Sequence, residues 1–158
     1  MEGDWNNFFI AEVGATAALA GLVIVAISIN LKPILPSRQL SGRAAETFMI
    51  LVGALVLSSL CLMPQSPQSL AIEIIVIAFA IWLLPVTMQV RSYNPADPKH
   101  WSITRALVTQ GATLPMLVAG ILLLLGHPAG IDWLAAGILA AIVGSIINTW
   151  VLLVEILR

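Results

Sequence analysis

The sequence predicts an all-α polytopic membrane protein with five transmembrane helices. Three observations carry this. Of 158 residues, 59% are hydrophobic and only 9% charged, against roughly 25% charged in soluble domains. Five apolar stretches each approach or exceed the roughly 20 residues that cross a hydrocarbon core. With five crossings, all seven Lys and Arg residues fall on one side.

The predicted spans cover about 8–31, 44–63, 70–90, 103–125 and 133–157 within a single membrane domain, 1–158. Between them lie "KPILPSRQLSGR", "PQSPQ", "RSYNPADPKHWS" and "GHPAGID". Pro and Gly punctuate all four breaks, and none is long enough to be a soluble domain.

The first span begins "MEGDWNNFF", acidic and aromatic, and its "ATAALA" precedes its most apolar part. A cleaved signal starts with positive charge and puts small residues after the apolar core. A retained span is therefore expected. One stripe carries Gly14, Ala18, Gly21, Val25 and Ser28. Small residues on a stripe let membrane helices approach closely. The opposite face carries Glu12, Thr16, Val23 and Asn30. It is polar at both ends and apolar in the middle, as in a pore with a hydrophobic constriction or in any interior face whose ends meet water.

The second span brings Glu46, three residues after Arg43, for a pair on one turn. The third brings Glu73, an acid with no basic partner on its side, and Pro85. The fourth contains Pro115. A proline removes one backbone donor, so a kink is expected at each. The fifth repeats the small-residue theme with Gly137, Ala141 and Gly144, continuing to Asn148 and Glu155. An amide facing lipid would leave its groups unpaired, so Asn148 should face protein or water. Arg158 follows Glu155 at i+3 and could neutralise it. A faint echo relates the second and third spans to the fourth and fifth, both pairs beginning Arg-Ala.

Lys32, Arg38 and Arg43 follow the first span, Arg91, Lys99 and Arg105 surround the third break, and Arg158 is last. Basic residues stay on the cytoplasmic side, which predicts the N-terminus outside and the C-terminus inside. The other side carries Glu2, Asp4, Glu12, Glu73, Asp132 and His127. That is either a solvated rim or a vestibule that concentrates cations. Trp5, Phe8, Phe9 and Trp133 fall near the outer interface, Tyr93 and Trp101 near the inner one, the depth aromatic residues favour. Ser28, Asn30, Glu46, Thr47, Thr87, Gln89, Thr109, Gln110, Asn148 and Glu155 gather in the inner half. Intramembrane polar groups are functional candidates, and helix-to-helix hydrogen bonds would also explain them.

The single Cys61 permits no internal disulfide. His100 and His127 are far apart, and no metal spacing, phosphate loop or dinucleotide fingerprint is present. No enzyme, cofactor, metal or nucleic-acid partner is expected.

The stretches "WNNFFIAEVGATAALAGLVIVAISINL", "RAAET" and "TWVLLVEILR" resemble a family of small uncharacterised bacterial membrane proteins common in actinobacteria. That resemblance implies a multi-pass protein of the bacterial inner membrane. Locally, "ALAGLVIVAISI" is similar to the pore helix of Orai calcium channels. Ile29 stands where the Orai selectivity glutamate would be, and the expected orientation is opposite, so calcium selectivity is not implied.

The functional expectation is a homo-oligomeric channel-like bundle for a small ion, cation favoured, or a solute. Its polar-path candidates are Glu12, Thr16, Val23, Asn30, Glu73 and Asn148. Its packing residues are Gly14, Ala18, Gly21, Ser28, Gly137, Ala141 and Gly144. The alternative is a non-conducting accessory subunit that binds another membrane protein. The lipid bilayer is a partner in either case.

Overall fold

The computed structural model describes residues 2–93 and 99–154. They form α1 (Glu2–Ile29), α2 (Leu31–Ile34), α3 (Arg38–Cys61), α4 (Pro67–Arg91), α5 (Lys99–Leu124) and α6 (Gly130–Val154). All except the single turn α2 are long and apolar enough to cross a membrane. A 24-residue helix such as α3 rises roughly 36 Å, against a hydrocarbon core of about 30 Å.

The helices are longer at their polar ends than hydropathy alone suggests. α3 starts at Arg38 rather than near 44, because Ser37 caps it. The Ser37 Oγ accepts the Leu40 N–H at 3.3 Å, satisfying one of the donors a helix start leaves free. α4 starts in the same way. Ser66 Oγ accepts the Ser69 N–H at 3.1 Å, and Pro67 occupies the first turn, where its missing donor costs nothing. α5 closes on Gly126, at φ +74. There the His127 N–H reaches back to the Leu122 carbonyl at 2.8 Å, a left-handed helix end that glycine adopts without strain. Pro85 and Pro115 both lie inside helices that continue past them.

Helices adjacent in the chain pack together, and α6 returns to touch both α1 and α3. α3 therefore sits at the middle, packed against α1, α4 and α6 and more lightly against α5. The main core joins Phe9, Leu57, Ile74, Met116, Leu134 and Ile138 with the alanines between them. A second core sets Ala20 and Val23 of α1 against Leu51 of α3. A third seats Ile34 of α2 against Ala44 and Leu152.

The outward faces are apolar: Leu22 and Ile24 on α1, Val76 and Phe79 on α4, Leu107 on α5, Val143 and Ile146 on α6. A water-facing surface rarely carries contiguous patches of this kind. Lipid suits them. The two ends of the bundle differ in charge. Arg38, Arg43, Arg91 and Arg105 lie toward one end, here the basic end, while Glu12, Glu73 and Asp132 lie toward the other.

Candidate functional site in the bundle interior

The polar residues of the basic half converge on one buried network. Glu46 on α3 is its centre, with 2% of its surface exposed. Arg105 on α5 donates from Nε to Glu46 Oε2 at 2.8 Å, and from Nη2 to Oε1. The third guanidinium nitrogen, Nη1, donates to Ser92 Oγ at 3.0 Å. Gln89 of α4 donates from Nε2 to the same Glu46 Oε2 at 3.2 Å and to Thr109 Oγ1 at 2.8 Å. Two charges in a dry interior are tolerable only when paired and hydrogen-bonded. Three helices supply that pairing here.

A second chain of bonds ties α3 to α6. Arg43 Nε donates to Asn148 Oδ1 at 3.0 Å, and Asn148 Nδ2 donates to Thr47 Oγ1 at 3.0 Å. The Thr47 hydroxyl donates to the Arg43 carbonyl at 2.8 Å. Asn30, in the turn after α1, donates from Nδ2 to the Leu152 carbonyl at 2.9 Å. Trp82 Nε1 donates to Gln110 Oε1 at 2.9 Å. Much of the inner-half polar set is thus engaged in bonds between helices.

The expected Arg43–Glu46 pair on one turn of α3 is corrected. The carboxylate is taken by Arg105, and the Arg43 Nε goes to Asn148. Sequence reasoning read Arg105 only as a marker of orientation. The signal it passed over was Glu46 itself, an acid inside a span on the basic side, which needs a cation from some helix. The Glu155–Arg158 pair lies outside the described residues.

One glycine makes the Arg105 geometry possible. A Cβ on Gly42 would lie 2.6 Å from Arg105 Nη2. The guanidinium lies across the bare backbone of α3 at that point.

The acidic half is different in kind. Glu12 and Thr16 of α1 face inward with Val23 and Asn30, all four buried. Thr16 Oγ1 donates to the Glu12 backbone carbonyl at 2.6 Å. Three buried atoms have no hydrogen-bond partner among the described residues: Glu12 Oε2, Glu73 Oε2 and Ser58 Oγ. Ser58 was not singled out by sequence reasoning, since a serine near a helix end gives no distinguishing signal. Between the two polar halves, Val23 packs on Leu51, with 1% and 0% of their surfaces exposed.

The two small-residue stripes have opposite fates. Gly137, Ala141 and Gly144 are buried within the chain. A Cβ at Gly137 would meet Met116 Cγ at 2.7 Å, and one at Gly144 would meet Val108 Cγ1 at 2.5 Å, both on α5. By contrast Gly14, Ala18, Gly21 and Ser28 are exposed, and Cβ atoms at Gly14 and Gly21 would have nothing within 4 Å. The α1 stripe is therefore not a packing face inside the protomer. The polar face packs inward instead, because its carboxylate and amide are costlier to leave in lipid than glycine is.

Among the described residues no three His, Cys, Asp or Glu side chains gather where a metal ion could be held. No protein-family profile, curated protein or solved structure matches the chain.

Proposed function

We propose that this integral membrane protein is channel-like and passes a small ion, with a cation favoured. The single observation that carries the reading is the layering of the α1 inner face. Glu12 and Thr16 are buried toward one end and Asn30 toward the other, with Val23 closed against Leu51 between them. Glu12 Oε2 and Glu73 Oε2 are buried without a hydrogen-bond partner among the described residues. Such oxygens are costly in a dry interior, and a proton, a water or a cation would relieve them. The Val23–Leu51 layer would then be a hydrophobic constriction that gates by wetting.

Because this face of α1 looks into its own protomer, the proposed path runs inside one chain rather than along a symmetry axis. The outward Gly14–Ala18–Gly21–Ser28 face is left for a second copy, so the proposed assembly is a homo-oligomer. The distribution of basic residues supports an N-terminus outside and a C-terminus in the cytoplasm. The resemblance to bacterial proteins supports the inner membrane as its location.

The accessory-subunit reading has one observation of its own. The interior is closed at Val23, while the small-residue face of α1 is open to a partner helix.

Purified protein in liposomes decides between them. The channel reading expects cation flux that Glu12→Gln lowers and Asn30→Leu alters. It also expects Val23→Ser, which wets the constriction, to raise flux about tenfold or more, since a barrier lowered by 1.4 kcal/mol gives that factor. Liposomes tight to every cation tested, with Val23→Ser as tight as wild type, would sink it. A stable membrane-protein partner in mild detergent and no self-assembly would favour the accessory reading.

A further inference from the structure

We propose that a cleft between the start of α3 and the end of α4 binds the phosphate of an anionic lipid headgroup. The cleft holds about 420 Å³ and is lined by Arg38, Ser41, Gly42, Met88, Arg91 and Ser92. Arg38 opens α3 and Arg91 closes α4, so two guanidinium groups flank one opening at the basic end.

Among the described residues no carboxylate lines this cleft. Neither arginine forms an ion pair among the described residues, and the buried acid of this half, Glu46, is held by Arg105. Paired guanidinium forks suit a phosphate, whose oxygens accept two parallel N–H bonds. The Ser41 and Ser92 hydroxyls donate to the Arg38 and Gln89 carbonyls at 3.3 and 3.4 Å, so the two guanidinium groups are the side-chain donors offered to a phosphate. The N-terminus of α3, a 24-residue helix, adds the positive end of its dipole.

The shape favours a lipid over free phosphate. Leu84, Met88 and Arg91 follow one another at i, i+4 and i+7 on α4, which places them on one face. Leu84 is exposed and lies one turn further into the apolar zone. The site is therefore cationic at the membrane edge and apolar beneath it, the order in which a lipid presents headgroup and acyl chain. Basic pockets between membrane helices take anionic headgroups by this arrangement. A zwitterionic lipid brings its own ammonium, which two arginines repel.

The test is native mass spectrometry of the full chain in detergent, with equal amounts of phosphatidylglycerol and phosphatidylcholine. Wild type should retain phosphatidylglycerol preferentially. R38Q and R91Q should each weaken that binding roughly fivefold, and R38Q/R91Q about thirtyfold, from about 1 kcal/mol per basic residue near the surface. K32Q, at the same end but outside the cleft, should leave it unchanged. The single variants decide the matter should the double variant not fold. Equal retention of both lipids, unaltered binding in R38Q and R91Q, or an equal loss in K32Q would overturn the proposal. Displacement of the lipid by an equal concentration of inorganic phosphate would also overturn it, since free phosphate would then be the ligand.

Discussion

Arg105 grips Glu46 with two prongs, Nε to Oε2 at 2.8 Å and Nη2 to Oε1, with both side chains almost wholly buried. Such a pair is costly to break and less costly to replace. Removing one partner leaves the other charge uncompensated, at about 3–5 kcal/mol, whereas two well-packed apolar residues can be neutral. E46Q and R105Q should therefore each lower the thermal unfolding midpoint in a fixed detergent. E46L/R105M should recover most of the loss. A double variant as unstable as the sum of the two singles would show that the pair is not a unit.

Gly42 tests the same geometry from the backbone side. A Cβ there would sit 2.6 Å from Arg105 Nη2. The guanidinium ends a flexible chain and can move, but only by leaving the two-pronged position. G42A should cost about 1–3 kcal/mol, the range for overpacking a filled site. In the R105M background the atom it strikes is gone, and the cost should fall below about 0.5 kcal/mol. Equal costs in the two backgrounds would mean that Gly42 answers to some other neighbour.

The spans were legible because hydropathy is additive along the chain, and five apolar stretches need no tertiary knowledge. Their ends were less so: four of the first six residues of α3, Arg38, Gln39, Ser41 and Arg43, are polar, and only the Ser37 cap explains why they are helical. At the site, the polar face from Glu12 to Asn30 could be read from helical periodicity. Which face turned inward could not. Gly14 and Gly21 make a packing face as plausible as Glu12 and Thr16 do, and only the positions of α3 and α6 decide. Glu46 posed the same difficulty. Its need for a cation was visible, but Arg43 was near in sequence while Arg105 was near in space.

Asn148 links Arg43 to Thr47 by accepting from one and donating to the other. N148L keeps the branched shape and removes both bonds, so the Arg43 Nε and the Thr47 Oγ1 each lose one partner, at about 1–3 kcal/mol in all. Among the described residues its neighbour Thr149 bonds the Ser145 carbonyl of its own helix and no other helix. T149V should stay within about 0.5 kcal/mol of wild type. The contrast is read by unfolding both variants in the same detergent. Equal effects would indicate that helix α6 tolerates or rejects substitution as a whole, independent of the Arg43 link.

The glycines of α1 and α6 should respond in opposite ways to the same substitution. On α6, a Cβ at Gly137 would lie 2.7 Å from Met116 Cγ and 3.0 Å from the Ala112 carbonyl, and one at Gly144 would lie 2.5 Å from Val108 Cγ1. The Ala112 carbonyl is backbone and cannot turn aside, so α5 and α6 must separate. G137A and G144A should each cost about 1–3 kcal/mol. On α1, Cβ atoms at Gly14 and Gly21 meet nothing within 4 Å. G14A and G21A should therefore stay within about 0.5 kcal/mol of wild type, the usual range for unburied sites. Leucine at the same places separates protomer from assembly. G14L and G21L should leave the unfolding midpoint of the protomer unchanged. If a second copy packs on that face, they should also reduce the crosslinked oligomer in lipid nanodiscs, because close approach of the backbones is lost. A midpoint that falls in G21L as far as in G137A would show that the outer face of α1 is packed within its own chain.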